Sequence, residues 1–343
     1  MESAGGVKLM LFAAGYQCRK TGELFSEIIA DYRNNICEVY FAPPGFASGR
    51  PDAAQDNAEA LEQLIFELRT IRNMNIQLDL LLNGNCYGEK AISQEFQNRI
   101  TDMLEWFAGE NLLPEIITTT SPFVADTVKK ITPDTEIRAS VNMRIDSLTA
   151  LEYLQEKFDS FYLRRDLQRD METVALFAQW SRQHGKKLCL LANSGCLRNC
   201  PYQTFHDNLV AHDKLLRKEN NVKDFLPHLC WERYKDGRNM ADFLRSSWIR
   251  PEDVKCYEPY CAVMKLATRQ HSNPRLILAA YCNESFDGNV FDLTEPCFSQ
   301  VFAPNILDNR RLDNIELPGK CGSNCHHCGK CEKIIGQAVR KLV

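Results

Sequence analysis

The chain has 343 residues, 44% of them apolar, with a net charge of −4 and a pI near 6.0. This supplies core material for one large domain or two ordinary ones, and it argues against a broad basic footprint for nucleic acid. No apolar run reaches the roughly 18 residues needed to cross a bilayer. The opening Met1-Glu2-Ser3-Ala4-Gly5-Gly6 lacks the basic and apolar regions of an export signal, so a cytoplasmic protein without membrane contact is expected.

Short apolar runs recur at Val7–Ala14, Ile36–Ala42, Ile76–Leu82, Ile116–Thr120, Ile137–Val141, Phe158–Leu163, Lys187–Ala192 and Val263–Ala267. Stretches of helical period lie between them, such as Leu24/Ile28/Ile29, Leu61/Leu64/Ile65/Leu68 and Leu148/Leu151/Leu154. Strands alternating with helices predict βα units and a parallel sheet. Eight such units predict the α/β class and a (β/α)8 TIM-like barrel. A doubly wound open sheet is second, because no Gly-x-Gly-x-x-Gly turn follows the first run.

The stretch from Ala192 to Val263 far exceeds one crossover helix. It predicts an insertion over about residues 193–250, leaving the end of the seventh strand, where this architecture builds active sites. The alternation fades after Asn283. The expected organisation is a barrel over residues 1–300 and a small Cys-rich module over 312–343 that ends in a helix, Glu332–Leu342.

Fifteen cysteines in such a chain point to metal, since reducing compartments keep disulfides rare. Cys196-x3-Cys200 opens the insertion and Cys230 follows. Thiolates from one short loop plus a distant one suit an iron–sulfur cluster, and Gly195 permits a tight turn before the first. A fourth ligand comes from Cys189, Cys261 or Cys256, with Cys189 taken first, or the fourth iron position is open to substrate. Cys189 lies inside an apolar strand, where a thiol also serves as a small buried hydrophobe. In the tail, Cys321-x3-Cys325-x2-Cys328-x2-Cys331 resembles a ferredoxin run more than the paired spacing of zinc sites. A second 4Fe-4S cluster is expected there, with structural zinc as the alternative. His326 and His327 read as linker residues.

His206 and Asp207 fall within one turn of the cluster loop and are candidate acid or base groups. Arg165, Lys265 and Arg269 sit near strand ends, placed to pair with carboxylates. Neither His-Glu-x-x-His nor Gly-x-Ser-x-Gly is present.

Several strings together resemble the collagenase-like peptidase family U-thirty-two. They are Leu11-Phe12-Ala13-Ala14-Gly15, Glu38-Val39-Tyr40-Phe41-Ala42, Ile137 to Met143, Tyr162-Leu163-Arg164-Arg165-Asp166-Leu167, Leu188 to Cys196, Cys230-Trp231-Glu232-Arg233-Tyr234 and Met264 to Arg269. They run in the family's order over about residues 7–285. The resemblance implies a barrel with a cysteine-held cluster and, in the better-understood branches, oxygen-independent hydroxylation of RNA bases or quinone precursors. Prephenate is the implied oxygen donor. Only Cys196 and Cys230 carry over as ligands. The family's last cysteine falls near Ser246 or Ser247, its usual histidine before the first ligand is absent, and the tail lies outside its core.

The leading expectation is therefore an iron–sulfur oxidoreductase that hydroxylates an aromatic or nucleobase substrate, with the tail cluster passing electrons. A peptidase is the second. An electron-transfer or assembly subunit with a redox partner protein is the third. A radical enzyme using S-adenosylmethionine is disfavoured, because its cysteine string would follow the first strand.

Overall fold

The structure, a computed structural model, describes residues 9–18, 22–50, 58–313 and 325–342. Val7, Lys8 and Cys321 lie outside the described residues. Each expected run supplies a strand: β1 Phe12–Gly15, β2 Ile36–Phe41, β3 Gln77–Leu82, β4 Ile116–Thr119, β5 Glu136–Ala139, β6 Ser160–Tyr162, β7 Lys187–Leu191 and β8 Val263–Leu266. All pair in parallel with their sequence neighbours, and β1 closes the barrel on β8 with Phe12 opposite Met264.

The helices that cover the barrel alternate with its strands. They are α1 Phe25–Asp31, α2 Ala58–Asn73, α3 Gln94–Gly109, α4 Pro122–Ile131, α5 Leu148–Leu154 and α6 Met171–Gln183. Ser93, Ser121, Ser147 and Asp170 each accept a backbone N–H from the first turn of α3, α4, α5 and α6. Such caps satisfy donors that the helix leaves orphaned. The insertion after β7 carries α7 Gln203–Ala211, α8 Asp213–Leu216, α9 Leu229–Tyr234 and α10 Met240–Arg245. Beyond β8 come α11 Pro274–Cys282, α12 Ser299–Phe302, β9 Asn305–Leu307, α13 Cys325–Cys328 and α14 Lys330–Ala338. Among the described residues no helix is long and apolar enough to cross a membrane.

Side chains alternate across each strand. Val39, Phe41, Ile137 and Met264 pack outward against the helices, whereas Ala13, Tyr40, Leu81, Tyr162, Cys189 and Val263 form a separate inner cluster. The interior also holds charge. Arg138, fully buried, donates to both oxygens of Glu38 at 2.6 and 2.9 Å, to Glu136 at 2.7 Å and to Ser160 at 2.9 Å. Asp79 accepts from Thr118 at 2.9 Å. Burial pushes its carboxyl up to about 6 against the opposing pull of Arg138 and Lys265.

The expected final helix, Glu332–Leu342, ends early. Val339 turns to extended backbone (φ −77°, ψ 136°) and starts β10, Val339–Lys341, which pairs antiparallel with β9. The tail thereby lies on the insertion. Ile334 and Ala338 are buried, α14 packs on α10, and Arg245 pairs with Glu332.

Candidate active site at the barrel mouth

The polypeptide leaves β7 through Ala192-Asn193-Ser194-Gly195 and reaches Cys196. Asn193 holds this exit, with its Nδ2 donating to the carbonyls of Ala267 and Leu293 and its Oδ1 accepting from Ala267 N–H. Gly195 is required by close packing, since a Cβ there would stand 2.8 Å from the Phe298 ring and 2.9 Å from the Pro296 carbonyl. That contact, rather than a tight turn, explains the glycine. Between Cys196 and Cys200 the chain reverses at Asn199, whose φ of 54° is left-handed. Asn199 N–H donates to Asp166 at 3.1 Å, and Arg164 Nε holds the other oxygen of Asp166 at 2.9 Å. A residue after β6 thus fixes the cysteine loop after β7.

Cys196, Cys200 and Cys230 line one cavity of about 390 Å³ at the C-terminal ends of the strands. Burial, then the field of Cys196, and after it that of Cys200, push the Cys230 thiol up to about 12. Burial, together with Cys196 and Asp166, also raises the Cys200 thiol. Thiols that oppose one another's ionisation in this way call for a cation. Arg165 supplies one at the rim, donating through Nη1 to Cys196 Sγ at 3.1 Å and through Nη2 to Asn142 Oδ1 at 3.2 Å.

The opposite wall is an ion pair, Arg50 Nε to Glu295 Oε1 at 2.6 Å. Burial alone would raise the Glu295 carboxyl, but Arg50 holds it below the usual range. His206 and His228 meet edge to face with centroids 4.5 Å apart. Burial, His228 and Arg50 lower the His206 imidazole to about 4, and burial lowers that of His228. Both rings are therefore neutral at pH 7. Asp207 is held by Arg144 Nη2 at 2.8 Å, so its charge is already engaged.

No family model matches the sequence. An uncharacterised protease of Methanocaldococcus jannaschii is 25% identical over 311 residues, covering 88% of this chain and 89% of the relative. A U32 peptidase of known structure superimposes on 79% of this chain and 96% of its own length, with a TM-score of 0.54 at 14% identity. The chain shares its barrel fold with this U32 peptidase. The near full-length relative and the shared barrel are in keeping with the resemblance carried by the motif order.

The barrel places only part of the expected site at the cavity. Cys196, Cys200, Cys230, Arg165, His206 and Asp207 line it. Cys189 does not. Strand parity turns its side chain into the barrel interior beside Tyr162, where burial raises the thiol to about 12. Cys261 is buried and donates to Val263 O at 2.9 Å, and Cys256 is exposed. Lys265 likewise faces inward, its Nζ 3.6 Å from the Tyr40 ring centroid, instead of reaching the mouth. Arg269 is buried and directs both Nη atoms to Ser48 Oγ at 3.3 Å, behind the cavity wall formed by its neighbours Gln270 and His271. In the tail, Cys325 and Cys328 belong to α13 and Cys331 to α14.

Arg50, His228, Glu295 and Cys297 were not legible as site residues. Only His228 carried a local signal, as a histidine two positions before a ligand candidate. The donor set fits a thiolate-bound cofactor, since soft thiolates select iron–sulfur centres or zinc. Among the described residues no three His, Cys, Asp or Glu side chains converge tightly enough to hold a single ion. A tetrahedral ion with bonds of about 2.3 Å would draw its sulfurs close together, whereas a cluster of several irons accepts a wider spread of thiolates.

Proposed function

We propose that this chain is an iron–sulfur enzyme whose cluster is held by Cys196, Cys200 and Cys230, and that it carries out oxygen-independent redox chemistry, hydroxylation of an aromatic or nucleobase substrate. The observation that carries this reading is that three thiols from two separate segments line one cavity beside Arg165. When bound, the cluster supplies one-electron redox chemistry. The chain's own groups bind and orient. Arg165 presents positive charge to a carboxylate-bearing oxygen donor such as prephenate, with its Nε still without a hydrogen-bond partner among the described residues. The neutral imidazole of His206 can accept a proton in the cavity, whereas Asp207 is clamped by Arg144. The tail cysteines, including Cys321, would hold a second cluster that relays electrons from a redox partner protein, or a structural zinc.

A peptidase is the second reading, favoured by the protease description of the archaeal relative and by two neutral imidazoles in a cavity lined with thiols. Against it, no hydrogen bond among the described residues joins a cysteine sulfur to His206 or His228. The deciding measurement is iron, sulfide and zinc content with EPR on anaerobically purified protein. Iron with matching sulfide is expected, lost in a Cys196→Ala/Cys200→Ala double variant and kept in Cys189→Ala. Colourless protein that cleaves peptides would favour the second reading and sink the first.

A further inference from the structure

We infer that Cys297 is the fourth thiol of the barrel-mouth site. The inference rests on the cluster reading above and fills the place that Cys189, Cys256 and Cys261 cannot reach. Ser194 and Glu295 form a parallel β-bridge. Gly195 N–H donates to Glu295 O at 3.0 Å, and Glu295 N–H to Asn193 O at 2.9 Å. Two residues beyond the bridged pair, in the same direction on each segment, stand Cys196 and Cys297. The segments have not separated at the intervening step, because a Cβ on Gly195 would lie 2.9 Å from the Pro296 carbonyl. Cys297 lines the same cavity as Cys196, Cys200 and Cys230.

Phe298 welds the three segments together. Its ring lies 5.3 Å from that of Trp231 and 4.8 Å from that of Tyr234, centroid to centroid, and it also bounds the space at Gly195. One aromatic residue, next in sequence to Cys297, therefore packs against the neighbours of both Cys230 and Cys196. Cys297 Sγ lies 3.1 Å from Ser299 Oγ, a hydroxyl able to donate to a sulfur ligand, and such bonds tune thiolate-held clusters. The resemblance puts the family's last cysteine near Ser246 and Ser247. Here Ser246 is buried and spends its hydroxyl on Phe243 O at 2.6 Å. The thiol lost there is replaced, on this reading, from the segment that follows α11.

The test uses full-length protein carrying Cys325→Ala and Cys328→Ala, so that only the barrel site reports. Each cysteine is alkylated anaerobically and located by peptide mass spectrometry, before and after iron is stripped with chelator and oxidant. Cys196, Cys200, Cys230 and Cys297 should be protected in the loaded protein and reactive in the stripped one, with exposed Cys256 reactive in both. Cys297→Ser should keep iron but shift the EPR signal of the reduced protein, and Cys297→Ala should lose iron as Cys196→Ala does. If Cys297 reacts equally in both preparations while the other three are protected, or if the Cys297→Ser spectrum superimposes on that of the parent, the assignment is overturned and the cluster reading stands. Parent protein without iron or sulfide overturns the cluster reading itself.

Discussion

Replacing Arg138 with methionine removes the one guanidinium that binds Glu38, Glu136 and Ser160 inside the barrel. Methionine roughly matches its length but offers no donor, so buried Glu38 loses its cation and partly buried Glu136 keeps only Lys187. Breaking a buried pair by deleting one partner costs about 3–5 kcal/mol. Glu136 gives an upper figure, since Lys187 and Ser160 remain beside it. Burial would raise its carboxyl, yet Arg138, with Lys187 and Ser160, holds it at about 2 instead of 4.5. That gap is worth about 3 kcal/mol at roughly 1.4 kcal/mol per pH unit. A carboxyl held low in the folded state contributes stability that is fully present above pH 4.5 and is lost as pH falls towards 2. Unfolding entropy of about 2 cal/mol/K per residue makes 1 kcal/mol worth roughly 1.4 °C at this chain length, so Tm should fall by about 4–7 °C at pH 7. Urea and thermal unfolding followed by circular dichroism read this directly. The Arg138→Met protein should also show a flatter loss of stability between pH 4.5 and 2, and adding Glu38→Gln should restore part of the deficit. A single variant within about 1 °C of wild type, or a strictly additive double-mutant cycle, would refute the idea that this triad is coupled.

Gly195→Ala should cost about 1–3 kcal/mol through overpacking against Phe298, Thr294 and the Pro296 carbonyl. It should also lower iron retention, whereas Gly336→Ala, where a Cβ meets nothing within 4 Å, should do neither. His206 should titrate near 4 by NMR of cluster-free protein, since burial and then His228 and Arg50 disfavour its cation. The unfolded chain takes up that proton first, so stability should decline as pH falls from 6.5 towards 4 and level off below. An inflection at or above 6.5 would show that the imidazole is not buried as described.

The barrel was legible because each strand presents an outward apolar face to a helix, as Val39, Phe41, Leu188 and Leu190 do. Cys196 and Cys200 were legible because a short loop at a strand end is where this architecture places its chemistry. Lys265 and Cys189 were misplaced for one shared reason. Strand parity sends them into a polar interior that apolar runs do not announce, and only pairing with Glu38, Arg138 and Asp79 reveals that interior. Glu295 and Cys297 were invisible because a parallel bridge to Ser194, 101 positions away in sequence, brings them to the mouth. The early end of α14 depended on β9 offering an edge, which no local propensity encodes.

The antiparallel pair β9–β10 has a practical consequence for dissecting the tail. Cutting the chain at Gly329 would strip Asn305–Leu307 of its hydrogen-bonding neighbour, unseat Ile334 and Ala338, and leave Arg245 without Glu332. An uncovered strand edge beside fresh apolar surface favours intermolecular sticking. A truncated protein would then precipitate for mechanical reasons and mimic loss of a metal centre, so the role of Cys325, Cys328 and Cys331 is better resolved by single-atom sulfur-to-oxygen replacements than by deletion.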